Sequence, residues 1–288
     1  MKKLGCVLIL LTLCMGCAQA SQKELVVDPN EDRIISTTVS VTEILGALEV
    51  DLVGVPSSYK DLPKRYEGLD AVGNPMSPDM ELIMSLKPTD VMSVTTLKYD
   101  LESVFENAGI NTRYVNLESL DNMYEEVASL GKTYDKTEQA DKIIAEYEET
   151  VKEILTRITG KKSPKVLILM GVPGSYLVAT EHSYIGDLVK KIGGTNIISN
   201  ETKEYLASNT EYLQTENPDI ILRAAHGMPE EVVEMFDEEF KDNDIWKHFD
   251  AVKNDRVYDL EELLFGTTGN LQAAEALDEL YKMLYDKK

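Results

Sequence analysis

The chain has 288 residues, 29 of them Lys or Arg and 51 Asp or Glu, for a formal net charge of −22. So acidic a surface repels a phosphate backbone, which excludes nucleic-acid binding as the main task. Hydrophobic residues at 43% and charged ones at 28% fit a packed globular protein and exclude a disordered or collagenous chain. The length accommodates one large domain or two ordinary ones.

The chain begins with Met1-Lys2-Lys3 and an apolar run from Leu4 to Met15. As a helix this run rises about 18 Å, too little for a hydrocarbon core of about 30 Å. A basic head on a short apolar run reads as a secretory signal peptide, 1–16, rather than a membrane span. Gly16-Cys17 has the small-residue-plus-Cys form of a bacterial lipobox, with Cys14 standing where such motifs usually carry Leu. Two readings stay open: lipid attachment at Cys17, or ordinary cleavage near Ala18 or Ala20. With Cys17 lipidated, Cys6 and Cys14 leave with the signal and no disulfide framework is possible. Residues 17–31 have no apolar period and read as a tether.

The remainder alternates short apolar runs with amphipathic stretches, the pattern of parallel sheets with crossover helices. Arg33–Ser36 is a predicted strand. A helix is expected over Thr38–Leu48, with Val41, Ile44, Leu45 and Leu48 on one face. Strand Leu52–Val55, helix Met80–Leu86, strand Asp90–Val94, helix Leu101–Ala108 and strand Arg113–Val115 complete an N-terminal lobe, 32–132. The longest helical signal runs from Lys136 to Ile158, its apolar stripe formed by Ala140, Ile143, Ile144, Tyr147, Val151, Ile154, Leu155 and Ile158. Gly160 terminates it, and Lys161-Lys162 suit the negative end of its dipole. This interdomain helix, within 133–160, would hold two lobes more rigidly than a flexible linker. The C-terminal lobe, 161–288, opens on strand Lys165–Met170, followed by helix Ile185–Ile192, strand Asp219–Leu222 and a closing helix Leu271–Tyr285. A weak repeat supports two related lobes: Glu81 and Glu211 each stand seven residues before a Pro that ends a short helix ahead of a buried strand. The expected class is α/β, two Rossmann-like lobes with parallel-rich sheets joined by one long rigid α-helix.

Enzyme evidence is thin. No phosphate-binding loop or nucleophile elbow occurs, and no catalytic carboxylate pair can be singled out. Three histidines, His182, His226 and His248, are few for a bare transition-metal site. Two loops stand out. Val72–Pro78 holds Met76 between two prolines, with no helix face to pack on. Arg223–Pro229 holds His226 and Gly227 beyond a buried strand, where ligands of open parallel sheets sit, and Gly227 lets backbone approach a flat ligand. One thioether and one imidazole from opposite lobes fit the axial positions of a haem iron. A packing Met and an uninvolved loop His are the competing reading.

The stretches VGNPMSPDMELIMSLKPTDV, GVPGSYLVATEHSYIGDLVKKIGGTNII and NPDIILRAAHGMPEEV resemble the haem-receptor lipoproteins of ABC importers. With IWKHFDAVKNDRVYDL, the likeness spans nearly the whole mature chain. The wider pattern is similar to class III substrate-binding proteins, whose rigid interdomain helix joins two lobes and which serve haem, siderophores and cobalamin. The resemblance implies a monomeric receptor on the outer face of the cell membrane, anchored by lipid at Cys17. Its cargo would be haem b (iron protoporphyrin IX), with Met76 and His226 as axial ligands. Val39, Ser58, Tyr59 and Lys60 would hold the haem propionates, which suits hydroxyls, helix-start N–H groups and one ammonium. Glu81 and Glu211 would dock the two lobe tips onto the ABC permease, itself driven by a separate ATPase, and surface haem-donor proteins would supply the cargo. A ferric siderophore or cobalamin receptor of the same fold is the alternative. An oxygenase, a cell-wall-processing enzyme and an adhesin are further ones.

Overall fold

A computed structural model describes residues 32–199, 201–208, 213 and 215–286. The signal peptide and tether, with Cys17, lie outside these residues, and so does Glu211. No helix among the described residues is long and apolar enough to cross a membrane.

Among the described residues the strands form two larger sheets and one hairpin, with helices between them in the chain. The first contains β1 (Ile34–Ser36), β2 (Gly54–Val55), β3 (Asp70–Ala71), β6 (Asp90–Val94) and β7 (Thr112–Val115), in the order β3-β2-β1-β6-β7, with every pairing parallel. Between β3 and β6 lie a two-stranded hairpin, β4 (Gly73–Asn74) and β5 (Ser77–Pro78), and helix α2 (Met80–Ser85). Helix α1 (Val39–Ala47) follows β1 directly, and Val41, Ile44, Leu45 and Leu48 of the expected stripe are fully buried. Helix α3 (Lys98–Asn107) precedes β7.

The second sheet has the order β11-β9-β8-β12-β13, built from β8 (Lys165–Val172), β9 (Ser175–Ala179), β11 (Tyr205–Ala207), β12 (Ile220–Ala225) and β13 (Val257–Asp259). Strand β10 (Thr195–Asn196) pairs with the start of β8. Strands β8, β10, β12 and β13 are parallel, β9 pairs antiparallel with β8, and β11 in turn pairs antiparallel with β9 at that edge. Side chains of the two central strands divide strictly by parity. Val166, Ile168 and Met170 of β8 and Ile220, Leu222 and Ala224 of β12 enter one core cluster, while Leu167, Leu169 and Ile221 enter another. Burial on both faces explains why these strands read as unbroken apolar runs.

Between the two sheets in chain order lie two helices, α4 (Leu120–Thr133) and α5 (Thr137–Ile158). Helix α5 runs one residue short of the expected start, because Lys136 is its N-cap. Tyr147 of α5 stacks on Tyr124 of α4 at 3.9 Å, and Arg157 pairs with Asp278 at 2.6 Å on the closing helix. Ala140, Tyr147 and Ile154 join one core cluster that contains residues of both sheets. Leu155 stays half-exposed, so the outer edge of the predicted stripe faces solvent. Helix α6 (Tyr184–Lys191), capped by Ser183, follows β9. After β12 come α7 (Pro229–Asp242), α8 (Asp250–Lys253) and, at the end, α9 (Ala273–Tyr285).

Candidate functional site

In an open sheet, ligands sit past the carboxyl ends of strands where the strand order reverses. The first sheet reverses between β1 and β6 and the second between β8 and β12. The segments leaving those points are Thr37–Val39, which enters α1, and His226, whose N–H donates to Gly171 O at 2.8 Å. Strand β12 extends to Ala225, beyond the expected Leu222, because Arg223, Ala224 and Ala225 keep pairing with β8 and are buried. The loop that carries His226 is therefore three residues shorter than the sequence implied. Arg223 points away to Asp259 and Asp237 and stacks on Phe236 and Phe240.

The His226 loop has an unusual backbone. Gly227 has φ of +75° and Met228 +49°, both left-handed, before Pro229 opens α7. A Cβ at Gly227 would meet nothing within 4 Å, so glycine is needed here for its φ and not for relief of crowding by the protein itself. Met228 is 58% exposed and holds this conformation without glycine's freedom. His226 is exposed.

Met76 is on the tip of the β4–β5 hairpin, where the sequence reading had an irregular loop. An Asx turn, Met76 N–H to Asn74 Oδ1 at 2.9 Å, shapes that tip and leaves the Met76 side chain 69% exposed. The hairpin is fixed to the neighbouring loop by Ser57 N–H donating to Gly73 O at 2.9 Å. In that loop, Lys60 N–H donates to Ser58 Oγ, and Tyr59 projects outward. The Tyr59 hydroxyl donates to Glu262 Oε1 at 2.6 Å, and Gly227 N–H donates to the same oxygen at 3.2 Å. The Met76 hairpin is thus bonded to Ser57, and two residues along the same loop Tyr59 bonds Glu262, which also holds the residue after His226. Partial desolvation of its hydroxyl end, then the bond to Glu262 and its charge, push the Tyr59 phenol up to about 12.

Val39 is the first residue of α1, whose N-terminal N–H groups lack helical acceptors. The first turn of α1 has no acidic side chain, and the Oγ1 of its N-cap Thr38, 7% exposed, has no hydrogen-bond partner. A buried hydroxyl and free N–H groups at a positive dipole end suit an anionic group. Lys60 sits near two carboxylates: Glu262 at 4.0 Å, and Glu43 of α1, whose pKa burial raises while Lys60 lowers it.

Glu262, Thr38 and Glu43 were not singled out from sequence. Recognising Val257–Asp259 as a strand would have directed attention to the segment after it, which holds Glu262. Of the other candidates, Glu81 is exposed in the first turn of α2, which Asp79 caps. His182 is exposed and 4.0 Å from Glu181. His248 is exposed beside buried Trp246 and Phe249.

A second acidic spot involves both halves of the chain. Burial, followed by the charge of Glu118, pushes Glu204 up to about 7, with His182 opposing. Glu118 is held by Thr95 Oγ1 at 2.8 Å, just after β6. The native state thus keeps a proton on Glu204 that the unfolded chain releases near 4.5. The associated stability is fully present below pH 4.5 and lost as pH rises through about 7. Glu204→Gln, a mimic of the protonated form, is expected to raise the urea midpoint at pH 8 and to change it little at pH 4.5. Equal shifts at both pH values would show that Glu204 does not titrate in this window.

Compared with known proteins, residues 34–263 match the family described as periplasmic binding protein. The chain is 46% identical over 285 residues to the high-affinity heme uptake system protein IsdE of Staphylococcus aureus strain bovine RF122 / ET3-1, covering 98% of this chain and 97% of that one. The crystal structure of S. aureus IsdE complexed with heme superposes with a TM-score of 0.85 at 48% identity, over 89% of this chain and all of that one. An ABC transporter substrate-binding protein from Listeria monocytogenes EGD-e matches with the same TM-score at 57% identity, again over 89% of this chain and all of that one. With its parallel-rich sheets, the long helix α5 and loops at two strand-order reversals, the chain belongs to the periplasmic binding protein family, alongside IsdE.

Proposed function

We propose that this protein is an extracytoplasmic haem receptor that captures haem b between its lobes and delivers it to an ABC permease. It binds and hands over its cargo without chemical conversion. The observation that carries this reading is the joining of the two ligand-bearing loops, Met76 on one side and His226 on the other, through Ser57, Tyr59, Glu262 and Gly227. A soft thioether and an imidazole, both exposed, supply two axial ligands of different character to one iron. The α1 start at Val39, the free Thr38 hydroxyl, Ser58 and Lys60 form a polar margin for two propionates, and the Tyr59 ring flanks it with its hydroxyl given to Glu262. The 46% identity to IsdE over nearly the full length supports haem as the cargo.

Cys17 is the proposed lipid attachment point, holding the receptor on the outer face of the membrane by acyl chains. Glu81 and Glu211 are proposed to meet basic residues of the permease, to which a separate ATPase supplies energy, and the receptor acts as a monomer. The proposed division is a tether to residue 31, lobes 32–132 and 161–288, and the connecting helix within 133–160.

Titration of the mature protein with haemin tests the reading. The expected result is a saturable Soret band at one haem per chain, with the visible bands of six-coordinate low-spin iron. Absence of a saturable band, or displacement of haemin by a ferric siderophore at equal concentration, would overturn it.

A further inference from the structure

We propose that Glu262 is a positioning residue of the haem site, which pins the His226 loop to the opposite lobe and sets how fast the cargo leaves. The proposal rests on the haem reading and adds to it a residue that acts through the ligand loop instead of on the iron.

One carboxylate oxygen of Glu262 accepts from Tyr59 Oη at 2.6 Å and from Gly227 N at 3.2 Å, with Lys60 Nζ at 4.0 Å. Tyr59 and Lys60 come from the N-terminal lobe, and Gly227 adjoins the imidazole ligand. The Glu262 side chain is only 11% exposed, and its carboxylate makes both bonds charge-assisted, the stronger kind. The segment presenting it is stiff. Leu264 and Phe265 are buried, both turn back to Glu261 O, and Asn270 Nδ2 donates to Leu263 O and Leu264 O. Leu260 N–H donates to Arg223 O, which ties the segment to β12 just ahead of His226. The same segment meets α1 through Thr268 Oγ1, 3.3 Å from Ser40 Oγ.

Opening the lobes to release a ligand must break the Tyr59–Glu262 bond. Loss of the Gly227 bond frees a glycine that nothing else within 4 Å would restrain on its open side, and with it the aim of His226. Glu262 therefore acts through Tyr59 and Gly227.

The test is release of haem from loaded protein to excess apomyoglobin, followed in the Soret region for the wild type, Glu262→Ala, Glu262→Gln, Tyr59→Phe and the double variant. Tyr59 is 74% exposed, so Tyr59→Phe leaves folding intact. Glu262→Ala and Tyr59→Phe are each expected to release haem about tenfold faster, equivalent to about 1.4 kcal/mol. The double variant should be no faster than Glu262→Ala, and Glu262→Gln should fall between wild type and Glu262→Ala. Additive effects in the double variant, or release unchanged or slowed in Glu262→Ala, would overturn the proposal, the slowed case marking Glu262 as a competitor of the propionates. A wild type with no Soret band defeats the haem reading itself, whereas normal loading with wild-type release rates in the variants defeats only the role of Glu262.

Discussion

His226→Ala is expected to abolish the low-spin haem spectrum and to weaken haemin binding by more than about 100-fold. Changes to groups that merely orient a metal ligand already cost about 10–100-fold, and loss of the ligand itself exceeds that. Folding should be untouched, because His226 is exposed and its backbone anchor, N–H to Gly171 O, survives substitution. A diagnostic follows from the open coordination position. Added imidazole should restore six-coordinate low-spin iron in His226→Ala and leave the wild type unchanged. Met76→Ala should be milder, because a thioether is a weaker donor and Met76 reaches out from a hairpin that its side chain does not stabilise. Its spectrum should shift toward high spin while most of the affinity is retained. Identical spectra for wild type and both variants would remove Met76 and His226 from the iron and leave the α1 margin as the sole basis of recognition.

The sequence carries most of this architecture where local pattern and burial agree. Helices α1, α5 and α9 each bury one stripe against a sheet or a neighbouring helix, so their period survives in the residues. Strands β8 and β12 are buried on both faces and stand out as apolar runs. Helix α7 was not legible for the opposite reason. Its 14 residues, PEEVVEMFDEEFKD, bury only Val232 and Phe236, so acidic side chains dominate and no apolar stripe marks a helix. Strand β9 was hidden because only Val178 and Ala179 of its five residues are buried. The hairpin at Met76 escaped since its two-residue strands pair only with each other. At the site, chain position was legible and connectivity was not. A buried strand followed by His and Gly marks a strand-end loop, but Tyr59 meets Glu262 across 203 residues of sequence. No local spacing encodes such a contact.

Trp246→Ala should produce the largest loss of stability at any single position discussed here, about 3–5 kcal/mol, read as a fall in urea midpoint by circular dichroism. Trp246 is fully buried in the cluster that covers the outer face of the second sheet. Its ring stacks on Phe240 at 4.4 Å and tilts against Phe249 at 5.4 Å, and its Nε1 donates to Glu239 Oε1 at 3.0 Å. Alanine leaves a cavity among rigid rings and deprives Glu239, which also accepts from Tyr176 and Asn243, of one donor. The functional consequence is indirect. Phe236 and Phe240 belong to α7, whose first residue, Pro229, follows the left-handed pair Gly227–Met228. Slack in α7 should loosen the His226 loop, so haem release should quicken while the low-spin spectrum of the loaded protein persists. Trp246→Phe, which keeps an aromatic ring and loses only the indole donor and some volume, should recover most of the stability and the wild-type release rate. A Trp246→Ala protein with normal stability would mean that the cluster closes over the cavity, and α7 would then owe its position to the Arg223 ion pairs instead.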